Sequence, residues 1–221
     1  GNARVHKYAP DGRLVGGWGS SGIGPGEFNV VHNICTDHDG WVYVADRENH
    51  RIQVFDGNGR YETEWRNLHR PCGLCMAGGT SPLFFVGEIG PSLRANRHAP
   101  NLGPRISVVE LHGALLARVG TQVAGTGAGQ FIAPHGIATD SRGDIYLGEV
   151  SNAVWKATVQ PELPAEKLRV LRKLWRAPEA LASSDPATEA PALARRLSLL
   201  GADVIDLGVE EHRVEMTAFG I

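Results

Sequence analysis

The chain has 221 residues, with 22 lysines and arginines against 24 aspartates and glutamates and a formal net charge of −2. A chain of this length can bury a sizeable core, and its near-neutral charge gives no reason to expect nucleic acid or an anionic membrane as a partner. No apolar run in the sequence approaches the roughly 20 residues of a membrane span. The 28 glycines and 13 prolines are typical of an all-β protein with many turns.

The chain begins with two short strands and a turn. Residues 4–8 match residues 51–55, and residues 11–15 match residues 58–62, so residues 1–19 predict the outer strands of a repeat. We therefore expect the sequence to be a piece of a longer protein, with earlier repeats and any targeting segment before its first residue. The odd number of cysteines argues against a disulfide framework and favours a reducing compartment such as the cytoplasm.

Residues 28–66 predict one complete four-stranded blade. β-Branched and aromatic residues alternate with polar ones and are interrupted by Asp, Gly and Asn turns, which is typical of an antiparallel meander. The strands are predicted at 30–36, 41–45, 51–55 and 61–65.

A second blade follows. Its strands are predicted at 70–76, 83–86, 105–111 and 114–119. Residues 88–104 form an insertion that is rich in Pro, Asn and Arg and longer than an ordinary connection. We interpret this insertion either as a lid on the rim or as a solvent-exposed excursion without function.

Residues 131–158 repeat the pattern of residues 28–55. The overlay aligns His135 with His32 and Tyr146 with Tyr43. Repetition on this scale predicts a β-propeller. The visible repeats sum to about three and a half blades, fewer than the four to eight that close a ring.

The pattern changes after residue 160. Leu168, Leu171 and Leu174 form an apolar stripe that predicts a helix from residue 164, with its basic side chains facing solvent.

Further along, the sequence predicts a linker, a second helix and one or two strands, at 182–192, 192–200 and 202–219. The chain is thus divided into propeller blades at 1–159 and a helical or irregular extension at 160–221.

Two histidines occupy the same place in their repeats. His32 and His135 stand at the start of an inner strand, where side chains of a propeller converge on the central channel. Two imidazoles aimed at one point predict a metal site, and zinc suits it because zinc accepts imidazole nitrogen. Cys72 holds the equivalent position in the repeat between them, and the third ligand is expected from elsewhere. The alternative is that each histidine packs beneath its turn and hydrogen-bonds to the backbone.

Arg47 lies in the polar corner that follows the second strand of its blade. Near a metal, an arginine can hold a carboxylate through two hydrogen bonds. The alternative is a turn arginine paired with Asp46 or Glu48. Of the other histidines, His69 is the one that we place near the channel.

These segments resemble NHL-repeat propellers and, more narrowly, the peptidyl-alpha-hydroxyglycine alpha-amidating lyase family. The resemblance covers about residues 1–158 and rests on NARVHKYAPDG, GPGEFNVVHNI, WVYVADRENHRIQVF and APHGIATDSRGDIYLGEVSNAVWK. It implies an all-β, six-bladed propeller, here partial, and the helical tail predicted after residue 160 lies outside the resemblance. It also implies a catalytic zinc held by histidines from alternate blades and a structural calcium in the channel. His32 and His135 match two zinc ligands, Arg47 matches an active-site arginine, and the third histidine would precede Gly1.

The resemblance implies a zinc-dependent lyase. Such an enzyme cleaves the carbinolamide N–C bond of a peptidyl-alpha-hydroxyglycine and releases an amide and glyoxylate, so the expected partner is a small-molecule or peptide substrate. Zinc would lower the pKa of the substrate hydroxyl and Arg47 would hold the carboxylate, although a piece without the earlier blades is expected to be inactive alone. The alternatives are a related metal-dependent hydrolase or lactonase, and a propeller that serves as a binding platform for proteins or other partners.

Overall fold

The structure is a computed structural model that describes residues 2–77, 82–121, 123–159, 164 and 167–174. Strands dominate this part of the chain. They are β1 Val5–Tyr8, β2 Leu14–Trp18, β3 Ser20–Ser21, β4 Glu27–Phe28, β5 Val31–Thr36, β6 Val42–Asp46, β7 Arg51–Phe55, β8 Tyr61–Trp65, β9 Pro71–Ala77, β10 Leu83–Glu88, β11 Arg105–Glu110, β12 Leu115–Val119, β13 Pro134–Thr139, β14 Ile145–Glu149 and β15 Leu171–Leu174.

The strands form separate antiparallel blades in which sequence neighbours are also spatial neighbours. The first blade is β5-β6-β7-β8, the second is β9-β10-β11-β12, and the third is β13-β14-β15. Before them, β1 pairs with β2, and the short strands β3 and β4 pair in parallel. The meander pattern predicted from turn residues is therefore confirmed, and the all-β propeller architecture with it.

Helical structure is scarce in the described residues. Two 3₁₀ turns lie at Arg47–Asn49 and Arg94–Asn96, a single helical turn α1 at Ser151–Val154, and a π-helical turn at Trp155–Val159. Within the part of the chain that the structure describes, no helix has the length and apolar character that a membrane crossing requires.

The core lies between blades, because side chains of one strand alternate between its two faces. In β6, Val44 packs with Phe28 and Phe55 on one side of the first blade. Tyr43 points the other way and contacts Phe84 of the second blade, with 4.5 Å between ring centroids. Each inner sheet is thus covered on both faces, which accounts for the uninterrupted burial of β6 and β7.

An aspartate builds the turn after the inner strand in two repeats. Asp37 accepts hydrogen bonds from the backbone N–H of Trp41 at 2.9 Å and from the Tyr43 hydroxyl at 2.9 Å. Asp140 accepts the hydroxyl of Tyr146 at 3.2 Å and the backbone N–H four residues on at 3.0 Å. The same polar turn in both places supports the overlay of the two repeats.

The helix predicted from residue 164 is wrong where the structure describes it. Leu171–Leu174 is the strand β15, which pairs antiparallel with β14, so these residues belong to the third blade and not to a helical extension. The leucine spacing predicted an amphipathic helix only on the assumption that the basic residues between the leucines face solvent. Arg172 is instead buried beside Glu149, and Lys173 lies 2.9 Å from Asp144.

The other predictions for the tail, at 182–192, 192–200 and 202–219, lie outside the described residues. The insertion at 88–104 packs against the π-helical turn: Arg94 donates to the Lys156 carbonyl at 3.0 Å and Arg97 to the Val159 carbonyl at 2.5 Å. These bonds hold the insertion against the π-helical turn, and its role as a lid stays a prediction.

Candidate metal centre

His32 and His135 lie side by side although 103 positions separate them in the sequence (135 − 32). Their ring centroids are 4.4 Å apart and their planes are inclined by 80°. The rings come from β5 and β13, the inner strands of the first and third blades. The convergence expected from their equivalent positions is thus present.

Cys72 completes the cluster from the inner strand of the second blade. Among the described residues, His32, Cys72 and His135 can each offer one ligand atom such that all three atoms lie within 4.8 Å of one another. The Cys72 side chain is fully buried, whereas both histidines are half-buried. The sequence placed Cys72 in the right register but did not identify it as part of the cluster.

The same backbone irregularity presents all three side chains. The ladder between β5 and β6 skips His32, that between β9 and β10 skips Cys72, and that between β13 and β14 skips His135. A bulge leaves one residue unpaired and redirects its side chain, which is why bulges occur beside active sites. Each of the three residues is also the second of its strand.

A buried acid–arginine pair lies opposite each bulge. The acid ends the second strand of the blade, the arginine belongs to the third strand, and all six side chains are buried. The pairs are Asp46–Arg51 at 2.8 Å, Glu88–Arg105 at 2.7 Å and Glu149–Arg172.

Each acid also fixes the segment that leads into its bulge. Asp46 accepts the backbone N–H of Asn29 at 2.7 Å, Glu88 that of His69 at 2.5 Å and Glu149 that of Ile132 at 2.6 Å. The donor lies three residues before the bulge residue in every case. Sequence reasoning missed these pairs, although an acid at the end of one strand and an arginine in the next is a repeating signal.

The histidines are held as neutral rings. Burial lowers the pKa of His32 to about 4, assisted by His135 and the nearby arginines. Burial, followed by Arg47, also lowers the pKa of His135. Neutral imidazole is the form that binds a metal.

One nitrogen of His32 is already engaged. Its Nδ1 lies 3.1 Å from the carbonyl oxygen of Cys72. Because a carbonyl only accepts, this contact places the proton on Nδ1 and leaves the lone pair of Nε2 for a ligand. A backbone carbonyl on the second nitrogen is the usual arrangement around metal-bound histidines.

Arg47 lies at the edge of the cluster, on the 3₁₀ turn that follows β6. Its backbone N–H donates to the Val30 carbonyl at 3.1 Å, which anchors the turn against the start of β5. Its Nε donates to Glu48 at 2.8 Å, and its guanidinium lies near the Cys72 thiol, whose pKa burial raises to about 11 against the opposing effect of Arg47. Arg47 therefore pairs with Glu48, as one alternative expected, while also contacting the cluster.

Glu48 bridges two arginines. It accepts from Arg47 and, at 2.9 Å, from Nη2 of Arg70. Burial opposes the ionisation of Glu48, but the hydrogen bonds and charges of Arg70 and Arg47 more than offset it, and the pKa of this carboxyl is lowered. The result is a fixed guanidinium beside the histidine pair.

His69 does not join the cluster. It stacks on His50, with 4.7 Å between ring centroids, and burial lowers its pKa to about 4. The sequence placed His69 near the channel, but in the structure this residue forms a second histidine pair between the first and second blades.

The donor set fits zinc. Two neutral imidazoles and a thiol are nitrogen and sulfur donors, which zinc prefers, whereas calcium requires several oxygen ligands. The calcium implied by the resemblance stays a prediction.

Comparison with known proteins places this geometry in context. The family model described as "NHL repeat" matches residues 28–55. The chain carries an NHL repeat. This repeat contains His32 and Arg47, and its second copy in the sequence, at residues 131–158, contains His135.

Relatives extend the similarity beyond that repeat. The chain is 28% identical to peptidylglycine alpha-amidating monooxygenase of Rattus norvegicus over 168 residues, 73% of this chain and 16% of that protein. It is 31% identical to peptidyl-glycine alpha-amidating monooxygenase B of Xenopus laevis over 166 residues, 70% of this chain and 18% of that protein. NHL repeat-containing protein 3 of Homo sapiens is 42% identical over 67 residues, 30% of this chain and 19% of that protein. The chain thus spans less than a fifth of these relatives' lengths.

A solved structure shares the fold. A protein of unknown function from Bacteroides caccae superposes with a TM-score of 0.54 at 12% identity, covering 77% of this chain and 55% of that one. At this identity the similarity concerns the fold alone.

Proposed function

We propose that this chain is part of a zinc-dependent lyase that resembles peptidyl-alpha-hydroxyglycine alpha-amidating lyase. The observation that carries the proposal is the meeting of His32 and His135, from blades distant in sequence, with Arg47 near enough to lower the pKa of both rings. The similarity to two alpha-amidating monooxygenases, which runs over 70% and 73% of this chain, supports it.

The chemistry is the cleavage of a carbinolamide. The substrate hydroxyl loses its proton, its carbon–oxygen bond becomes a carbonyl, and the carbon–nitrogen bond breaks with its electron pair going to nitrogen. That nitrogen takes up a proton, so an amide and glyoxylate leave. Zinc held by His32 and His135 would supply a Lewis acid that makes a hydroxyl easier to deprotonate.

The residues of the chain have separate roles in this scheme. His32 and His135 would hold the ion through ring nitrogens kept neutral by burial. Arg47, whose side chain is 22% exposed, would bind the substrate carboxylate. Glu48 and Arg70 would keep its guanidinium in place through their shared hydrogen bonds.

Zinc analysis and a product assay test the proposal. The purified chain should bind one zinc, and the longer lyase of which we propose it is a part should release glyoxylate from an α-hydroxylated N-acylglycine. His32→Ala and His135→Ala should lose both properties, while the exposed His38→Ala should keep them. A chain that binds no zinc would contradict the proposal. A longer protein that binds zinc without forming glyoxylate would favour a metal-dependent hydrolase.

A further inference from the structure

Cys72 is related to both histidines by position, backbone and contact. The three residues are the second residues of β5, β9 and β13, each left unpaired by a bulge, and each faces an acid at the end of the neighbouring strand. This equivalence is stronger evidence for a shared site than proximity alone, because the same local backbone structure directs each of the three side chains.

We propose that Cys72 is the third protein ligand of the metal site, so that three successive inner strands supply an N,N,S donor set. This inference rests on the proposed function, since it concerns the same ion. It makes the ligand set complete within residues 32–135, without a further histidine.

The distances suit such a set. Zn–N bonds of about 2.0 Å and a Zn–S bond of about 2.3 Å place tetrahedral donor atoms about 3.3–3.5 Å apart. The three possible ligand atoms lie within 4.8 Å of one another, so small side-chain rotations bring them to bonding distance. Three protein ligands also leave the fourth position open, as a catalytic zinc site does.

The surroundings of Cys72 prepare it for this role. Its carbonyl oxygen fixes the Nδ1 proton of His32, so the residue orients one ligand while offering another. Burial raises the pKa of the Cys72 thiol to about 11 and Arg47 opposes this rise, so the metal has to displace the thiol proton when it binds. Binding breaks the S–H bond, forms the metal–sulfur bond and releases the proton to solvent.

The alternative is a cysteine that only fills space. Cys72 packs in an apolar cluster with Ile89, Ile132 and Trp155, and buried cysteines are often no more than small apolar side chains. If Cys72 only packs, the metal has no sulfur ligand. Spectroscopy distinguishes a site with a sulfur ligand from one without it.

Cobalt(II) reports sulfur ligation directly. Adding Co²⁺ to the metal-free chain should produce an intense near-ultraviolet sulfur-to-cobalt charge-transfer band together with visible bands typical of tetrahedral coordination. Cys72→Ser should abolish the charge-transfer band and weaken Co²⁺ binding by about tenfold or more. Cys75→Ser, three residues along the same strand, and Cys35→Ser on β5 serve as matched controls and should retain both.

The wild-type spectrum alone shows whether sulfur binds the metal, so the inference can be tested even if Cys72→Ser fails to fold. Tetrahedral cobalt without the charge-transfer band, or a band that persists in Cys72→Ser, would overturn the inference. If His32→Ala and His135→Ala still abolish binding in that case, the proposed function survives without sulfur. If the wild-type chain binds no Co²⁺ at all, both proposals fall together.

Discussion

At the scale of single residues, Glu48 determines where Arg47 points. Its carboxylate accepts hydrogen bonds from Nε of Arg47 at 2.8 Å and from Nη2 of Arg70 at 2.9 Å. Arg70 is in turn held by the Gly90 carbonyl at 3.1 Å. The chain Gly90–Arg70–Glu48–Arg47 thus links the insertion after β10 to the proposed carboxylate-binding group.

Replacing Glu48 with Gln should impair substrate binding more than turnover. Hydrogen bonds to charged groups contribute about 1.5–3 kcal/mol. In the longer lyase we therefore expect kcat/KM for a carboxylate-bearing substrate to fall by roughly tenfold to a hundredfold, mainly through KM. The exposed Glu62→Gln is the control and should change neither constant. The test uses steady-state kinetics with a second substrate in which an amide replaces the carboxylate. With this analogue, Glu48→Gln and wild type should differ little. An equal loss with both substrates would contradict the role of Glu48 in positioning Arg47.

Because His69 is buried, we expect the free energy of unfolding to fall in acid. Burial, His50, Arg70 and Arg105 lower its pKa to about 4 from the ordinary 6.5, opposed by Glu48. As the pH falls, the unfolded chain therefore binds a proton first. Stability is complete above about pH 6.5 and declines down to about pH 4.

The test compares melting temperatures of the metal-free chain at about pH 7 and about pH 5. The drop between them should be smaller in His69→Gln than in wild type, because one buried imidazole no longer resists protonation. His38→Gln, an exposed histidine whose side chain is 76% accessible, should show the wild-type drop. Equal drops in all three proteins would show that burial of His69 is not responsible.

At the scale of elements, the acid–arginine pairs hold each bulge in place. Glu88 is fully buried and receives Arg105 through two nitrogens, at 3.0 and 2.7 Å. The same carboxylate holds the backbone of His69, three residues before Cys72. Removing the arginine therefore leaves a buried charge and loosens the segment that presents Cys72.

We expect Arg105→Met to lower the free energy of unfolding by about 3–5 kcal/mol, the usual cost of breaking a buried ion pair from one side. Arg142→Met is the matched control: its side chain is 70% exposed beside Asp140, so its loss should cost less than about 1 kcal/mol. Urea denaturation of the three proteins measures both values. An Arg105→Met loss no larger than that of the control would show that the pair does not stabilise the second blade.

The blades were predictable from sequence because turn residues and strand alternation are local. The strands at 51–55 and 61–65 were predicted with the bounds that the structure shows. β15 was not, because its partner β14 lies over 20 positions earlier and no local pattern specifies that pairing. The meeting of His32 with His135 followed from the repeat, whereas the role of Arg70 did not, since it depends on a contact with Glu48 from another blade.

At the scale of the whole molecule, the cluster joins three blades at their inner strands. β9 lies between β5 and β13, and the Nδ1 contact of His32 with the Cys72 carbonyl already crosses from the first blade to the second. Apolar clusters fill the space between the same blades further out. An ion bound by His32, Cys72 and His135 would connect all three blades and would bind only when they are assembled.

Zinc should therefore stabilise the folded chain as a unit. A ligand at a hundred times its dissociation constant adds about 2.7 kcal/mol, which for a chain of this size corresponds to a melting temperature higher by roughly 5–10 °C. Magnesium should give no shift, because it prefers oxygen ligands in an octahedral arrangement. Differential scanning calorimetry with zinc, with magnesium and with a chelator measures the effect, and His135→Ala should melt at the same temperature in all three. An equal rise with magnesium, or a zinc-dependent rise that survives His135→Ala, would mean that the ion binds elsewhere and that the inner strands are held together by packing alone.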